Sequence, residues 1–151
     1  MIMKESTFII LKPDALKRGL KEEILSYFKE RDFHIVRENL VTVDEEKILS
    51  HYQEVIERIG SEDFRQAVLR EFVNEVVHIV EIASEKSDVV AWVRDLIGST
   101  DPAVARPDTI RGLFGEDSLS KARSENRMLR NLIHASDSDE NVKKELVLWF
   151  E

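Results

Sequence analysis

The stretch Thr7-Phe-Ile-Ile-Leu-Lys-Pro-Asp14 carries the first decision about the fold. Thr7 to Leu11 is a short apolar run with β-branched residues, bounded by Lys12-Pro13, and it reads as a buried strand. Working outward, strand-like and helical periods alternate along the chain. Leu20, Ile24 and Phe28 recur at helical spacing and predict a helix over about 20–31. Residues 33–43 mix alternation with β-branched side chains and predict a second strand. Ile48, Tyr52, Val55, Ile56 and Ile59 follow the pattern of one amphipathic helix, with Asp44 as its N-cap. Gly60 breaks that helix, and a short one follows over about 63–73. Val76-Val-His-Ile-Val-Glu-Ile82 is a third strand. Val89, Trp92, Val93 and Leu96 mark a helix that ends at Gly98. Residues 98–115 read as a long irregular loop, and 116–129 as a charged segment with weak helical spacing. Asn131-Leu-Ile-His134 is a short fourth strand. Ser136 or Asp137 then caps a last helix that turns Val142, Leu146 and Trp149 inward. Four strands with helices between them predict an α+β fold, a ferredoxin-like four-stranded antiparallel sheet covered by helices on one face. Neither repeats nor a linker interrupt it, so 1–151 reads as a single domain.

Composition narrows the partners. The formal net charge is −8, which makes the chain a poor general binder of nucleic-acid backbone or of an anionic membrane. A phosphate ligand remains possible if a few Lys and Arg converge on one cleft. No cysteine is present, so no disulfide scaffold is available and a reducing compartment fits. The opening Met1-Ile-Met-Lys-Glu-Ser6 has no long apolar run. It reads as neither signal peptide nor membrane span, which leaves the cytoplasm by exclusion.

Among the four histidines, His34 and His78 fall inside predicted strands and read as structural. His51 adjoins Tyr52 on a helix and reads as solvent-facing. No two histidines have metal-ligand spacing, and without cysteine a zinc site is not expected. His134 differs, because it ends a strand and is followed by Ala-Ser-Asp-Ser138 at the mouth of a helix, where anions are favoured. Glu145 lies three residues after Val142 and four before Trp149, so it shares the inner face of the last helix. A buried carboxylate needs a partner, and the His134 imidazole is a sensible one. Held by a carboxylate at one ring nitrogen, an imidazole is oriented and keeps the other as a nucleophile. Positive charge is available from Lys12 at the end of the first strand, from Arg94 near Thr100, and from Arg111, just ahead of Gly112 and Gly115, which allow tight turns. No Walker-type loop and no protein-kinase motif accompanies them.

Taken together, these motifs resemble the nucleoside diphosphate kinase family. The matching pieces are Thr7 to Asp14 with Arg18-Gly19-Leu20, His51-Tyr52, Arg94 with Gly98-Ser-Thr100-Asp-Pro102, Thr109-Ile-Arg-Gly112 with Phe114-Gly115, Asn131-Leu-Ile-His-Ala-Ser-Asp-Ser138, and Glu145 with Leu148-Trp-Phe150. The resemblance implies a ping-pong phosphotransferase. ATP or another nucleoside triphosphate, with Mg²⁺ carried mainly by its phosphates, gives its γ-phosphate to His134, and a nucleoside diphosphate takes it. Glu145 would orient His134 and Ser136 would support the pair. Lys12, Tyr52, Arg94, Thr100, Arg111 and Asn131 would hold phosphates and sugar. The family also implies a homo-oligomer.

Three departures stand out. Arg58-Ile-Gly-Ser-Glu-Asp-Phe64 replaces the usual aromatic segment, leaving Phe64 as the candidate for stacking on the base. Asn74-Glu75 replaces the usual turn before the third strand. Arg111 and Asn131 are about ten residues further apart than in most members, which places an insertion within 116–130; it reads as a solvated surface helix, or as a flap or assembly contact near the nucleotide. These departures motivate one alternative, a nucleotide-binding regulatory module of the same fold with weak activity.

Overall fold

The structure, a computed structural model, describes residues 5–151. The reading of residues 1–4 as free of a signal segment lies outside the described residues. Four strands, β1 (Glu5–Leu11), β2 (His34–Thr42), β3 (Val76–Ser84) and β4 (Ile133–Ala135), form one sheet in the order β2-β3-β1-β4. All three pairings are antiparallel. β3 lies between β1 and β2, so the connection from β1 to β2 crosses over it, as in the ferredoxin-like arrangement. The predicted fold class holds.

The prediction that helices cover one face does not. On one face Ile9, Leu11, Val80 and Ile82 pack under α1 (Pro13–Lys17), α2 (Lys21–Lys29) and α6 (Val89–Ile97). On the other, Phe8, Ile10, Val77 and Ile79 pack under α3 (Glu45–His51), α5 (Glu62–Phe72) and α9 (Asp139–Phe150). The reason lies in the strand itself. Phe8-Ile-Ile-Leu11 is apolar at every position and fully buried; a strand without alternation needs cover on both sides.

Several boundaries move. The single helix read over 48–59 is two, α3 and α4 (Gln53–Ile59), separated at Tyr52 with φ −97° and ψ 9°. Beyond that break no residue of α4 is buried, so its apolar stripe faces a cleft rather than the core. Asp44 caps α3 by accepting from the Lys47 N–H, as expected. The loop read over 98–115 contains a 3₁₀ turn, Pro102–Val104, and α7 (Ile110–Phe114), capped by Thr109. Only Leu119–Ser124 of the charged segment is helical, as α8. The last helix is capped by Ser138, neither Ser136 nor Asp137. β4 starts two residues later than read, which places Asn131 and Leu132 in the turn before it.

Candidate active site

The surroundings of His134 come from three elements. His134 lies in β4, opposite Ile10 of β1. Its Nε2 is 3.1 and 3.0 Å from the two oxygens of Glu145 on α9. With the ring proton on Nε2 and donated to the carboxylate, Nδ1 keeps its lone pair for attack. Ser136 also donates its hydroxyl to Glu145. Burial works against the Glu145 carboxylate. The hydrogen bond from His134, the electrostatic pull of that neighbouring ring and the Ser136 hydroxyl outweigh it and hold the acid below its ordinary range.

His51 corrects the sequence reading. It is not solvent-facing; its side chain is 3% exposed and its ring lies edge-on to His134 at 4.5 Å. Burial and the neighbouring His134 push its pKa down to about 3, so the ring is neutral. The Trp149 indole N–H donates to His51 Nδ1 at 3.1 Å. That nitrogen therefore carries a lone pair, and its 3.3 Å approach to Glu145 is not an ion pair. The signal for this was available in spacing: His51 falls three residues after the buried Ile48 and shares its inward face. His51, His134 and Glu145 offer ligand atoms within 4.8 Å of one another. Their hydrogen bonds to one another, to Ser136 and to Trp149 account for that convergence. His34 is exposed, and His78 is buried with its Nε2 2.8 Å from Glu38, both in structural settings.

In front of His134 lies a cleft of about 500 Å³ lined by Lys12, Tyr52, Phe64, Thr100, Arg111 and Asn131, together with residues of 116–130. Six of the predicted binding residues are thus brought together. Its floor is wired tightly. Lys12 is 5% exposed and donates to Asn131 Oδ1 at 2.9 Å, while Asn131 Nδ2 donates to the Thr100 carbonyl at 3.0 Å. Burial lowers the Lys12 pKa to about 8; Arg111 lowers it too, while Asp14 opposes both. Arg111 donates to three backbone carbonyls, those of Asn131, Gly98 and Ile133, at 3.1, 3.2 and 2.6 Å. Burial, then the nearby Arg94, lowers its pKa to about 10, which leaves it charged at neutral pH. Tyr52 is held protonated by burial. Cations crowded at some cost in a desolvated floor make a site that favours an anion.

Arg94 stands apart from this lining. Its guanidinium donates to the Ala135 carbonyl at 3.0 Å and lines a second groove on the other side of His134. Two further residues matter and were given no role from sequence. The Asp14 carboxylate accepts from the Leu132 N–H at 3.0 Å, and the Leu132 carbonyl accepts from the Lys12 N–H at 2.8 Å. Leu132 is fully buried with φ 74°, a conformation disfavoured for a bulky side chain. Those two bonds hold it there, and through it the Asn131-to-His134 turn. Gly98 and Gly112 answer a steric need: a Cβ on Gly98 would meet Thr109 Oγ1 at 2.4 Å, and one on Gly112 would meet the Arg106 carbonyl at 1.9 Å. Both glycines let the loop fold tightly enough to aim Arg111.

Comparison with known proteins agrees with this geometry. The sequence model of the family described as nucleoside diphosphate kinase matches residues 5–151. A nucleoside diphosphate kinase of Streptococcus pneumoniae is 39% identical over 147 residues, covering 97% of this chain and 99% of that protein. Among solved structures, the Borrelia burgdorferi nucleoside-diphosphate kinase with bound vanadate and ADP, a transition-state mimic, superposes with a TM-score of 0.90 at 28% identity. It covers 100% of this chain and 89% of that one. An NDP kinase from Pyrobaculum aerophilum gives 0.84 at 31% identity, covering 99% and 97%. With its family pattern matched over nearly the whole length and its cleft built around His134, the chain belongs to the nucleoside diphosphate kinase family.

Proposed function

We propose that His134 Nδ1 carries the phosphoryl group that this kinase moves from a nucleoside triphosphate to a nucleoside diphosphate. The observation that carries the proposal is the hydrogen bond from His134 Nε2 to Glu145, which leaves Nδ1 as the nucleophile. In the first half-reaction a bond forms between Nδ1 and the γ-phosphorus, and the bond from that phosphorus to the β,γ-bridging oxygen breaks. The diphosphate leaves. The positive charge gained by the ring is stabilised by the Glu145 carboxylate, whose hydrogen bond strengthens as that charge develops. In the second, a terminal oxygen of another diphosphate attacks the same phosphorus and the P–N bond breaks. Lys12 and Arg111 meet the phosphates, with Arg94 beside them, and Asn131 and Thr100 complete the floor. Tyr52 offers a protonated hydroxyl. Phe64, half-buried at the start of α5, lines the same cleft, which supports it as the residue that stacks on the base. The work is positioning and charge stabilisation on an anion that is already bound.

The residues lining the cleft include basic, amide and apolar side chains but no carboxylate. That fits Mg²⁺ arriving on the phosphates rather than in a cage of protein ligands. When bound, the ion would supply neutralisation of phosphate charge. The complete set of floor residues and the family match favour the kinase over the regulatory-module alternative.

The chain works as one domain, because the sheet and both helical layers are built from residues spread along its length. Assembly into a homo-oligomer is supported by β2, an edge strand on which Val36 and Leu40 are 51% and 54% exposed. A cytoplasmic setting rests on the absence of cysteine. Among the described residues no helix is long and apolar enough to cross a membrane.

The decisive experiment is incubation with γ-labelled ATP and Mg²⁺. Acid-labile, alkali-stable label that is lost in a folded His134→Ala protein is expected. Absence of label on the folded parent protein would overturn the proposal.

A further inference from the structure

Hydrogen bonds account for the meeting of His51, His134 and Glu145, but one contact among them stays unanswered. Glu145 Oε2 lies 3.0 Å from His134 Nε2 and 3.3 Å from His51 Nδ1. The first contact holds a proton. The second holds none, because Nδ1 accepts from the Trp149 N–H and stands beside a carboxylate oxygen. Two acceptors at that distance repel each other, and a cation between them turns the repulsion into two bonds. Ser136 donates to the other oxygen, Oε1, so the carboxylate keeps its place when Oε2 changes partner.

Geometry and chemistry fit one class of ion. The three side chains each offer a ligand atom within 4.8 Å of the others. Around a tetrahedral zinc with bonds of roughly 2.0–2.1 Å, ligand atoms lie about 3.3–3.4 Å apart, close to both separations at Oε2. Two imidazoles and a carboxylate form a borderline-soft donor set that suits zinc, whereas magnesium prefers oxygens and stays on the phosphates. A fourth position is left for water. There is also a way in. The groove beside Arg94, about 340 Å³, is lined by all three residues. Along it Glu54, Asp137 and Glu145 offset Arg94 and Lys144, so a cation is not turned away. No spacing in the chain marks this set, because α3, β4 and α9 each supply one member.

We propose that His51, His134 and Glu145 form an inhibitory site for a zinc-like divalent cation, which stops phosphoryl transfer by binding the rear nitrogen of His134. The site stands on this geometry; its effect rests on His134 Nδ1 being the nucleophile. A bond forms between the metal and Nε2, and the proton on Nε2 is displaced. The ring stays neutral by carrying its one proton on Nδ1 instead. The lone pair that attacks phosphorus is then gone, while Lys12, Arg111 and Asn131 keep their places on the floor of the cleft. Zinc therefore lowers kcat and leaves nucleotide affinity alone.

Zinc binding to the full chain is measured without nucleotide, by competition with a chromogenic zinc chelator. Co²⁺ serves as a second probe, because tetrahedral coordination gives it intense visible bands. Labelling by γ-labelled ATP in excess Mg²⁺ is followed at increasing free zinc. One zinc per chain, tetrahedral cobalt bands and a loss of labelling that a zinc-selective chelator reverses are expected, with the Kd for Mg²⁺-ADP within about twofold. His51→Gln weakens zinc by at least about a hundredfold, beyond the roughly ten- to hundredfold that loss of an outer partner costs. Its labelling, taken against its own zinc-free rate, resists the metal. Trp149→Phe frees the Nδ1 lone pair and tightens zinc about two- to tenfold, the net worth of a hydrogen bond that no longer has to be broken. Opposite shifts in these two variants support the site, since a general loss of packing would weaken both. Octahedral cobalt spectra, or equal zinc affinity in the parent and His51→Gln, overturn it. Tetrahedral binding with undiminished labelling overturns the inhibition and counts against Nδ1 as the nucleophile. A folded parent that labels on His134 but binds no zinc removes the site and leaves the nucleophile standing.

Discussion

Replacing Glu145 with Gln isolates the charge behind the nucleophile. The site accommodates the amide without rearrangement. Its oxygen can accept from His134 Nε2 and from Ser136, where the carboxylate accepts now. Its NH₂ can face His51 Nδ1, a lone pair 3.3 Å from Glu145 Oε2 that is currently opposed by negative charge. Shape and the hydrogen bonds to the retained oxygen survive; the His134 contact with the second oxygen goes together with the full negative charge. A hydrogen bond to a charged partner is worth roughly 1.5–3 kcal/mol, against roughly 0.5–1.5 for a neutral one. The difference, about 1–2 kcal/mol, acts where the ring becomes positive, in the phosphorylated state and the transition state leading to it. It corresponds to about a five- to thirtyfold slower phosphorylation, at tenfold per 1.4 kcal/mol. Nucleotide affinity stays within about twofold of the parent, because Glu145 is absent from the cleft lining. Rapid-quench measurement of labelled phosphoenzyme, at saturating ATP, reads the rate directly. A Glu145→Gln rate within twofold of the parent would refute the assignment of charge stabilisation to this carboxylate.

Other expectations follow from the same structure. Lys12 titrates near pH 8 in the free protein, lowered from 10.5, and a bound phosphate raises it again. Nucleotide binding should therefore take up protons around pH 8 to 9 and weaken as pH rises above that; calorimetry in buffers of different ionisation enthalpy shows no uptake if the assignment fails. The folded pKa lies below the unfolded one, so Lys12 works against stability below about pH 8, and this penalty is relieved as pH rises toward 10.5. Gly112→Ala forces a Cβ to within 1.9 Å of the Arg106 carbonyl. It should lower stability by about 1–3 kcal/mol, read as a fall in denaturation midpoint, and raise the KM by misplacing Arg111. Asp117→Asn removes the charge from a carboxylate that Arg127 holds well below its ordinary range. Hydrogen exchange should speed up over 116–130, with the β1 amides unchanged; equal protection in the variant would show that the Asp117–Arg127 pair is not what fixes this segment.

Much of this protein is legible in local pattern. The apolar run at Phe8-Ile-Ile-Leu11, the strand at 76–82 and the caps at Asp44 and Gly98 report local geometry, and local geometry is what periodicity encodes. The Val142, Glu145 and Trp149 spacing likewise put the carboxylate on the inward face of the last helix, where it meets His134. The same method misplaced His51, because the helix was read as continuous through Tyr52 and its stripe assigned to the core throughout. α3 in fact turns His51 inward under α9, while α4 swings out to wall the cleft.

Thus the sequence alone marked the order of the four strands, the family to which the chain belongs and the residues proposed to bear the chemistry and to hold phosphate, since each sits in a motif along the chain. Only the tertiary structure decided that helices cover both faces of the sheet and that Arg94 stands beside the floor of the cleft rather than in its lining. It also showed that His51 and Trp149 lie behind His134 and that 116–130 lines the cleft. These depend on how α3 and α9 pack against β1 and on how 116–130 lies along the cleft. That packing is set by contacts between residues about a hundred positions apart, as in the bond from Trp149 to His51, and no local period records them.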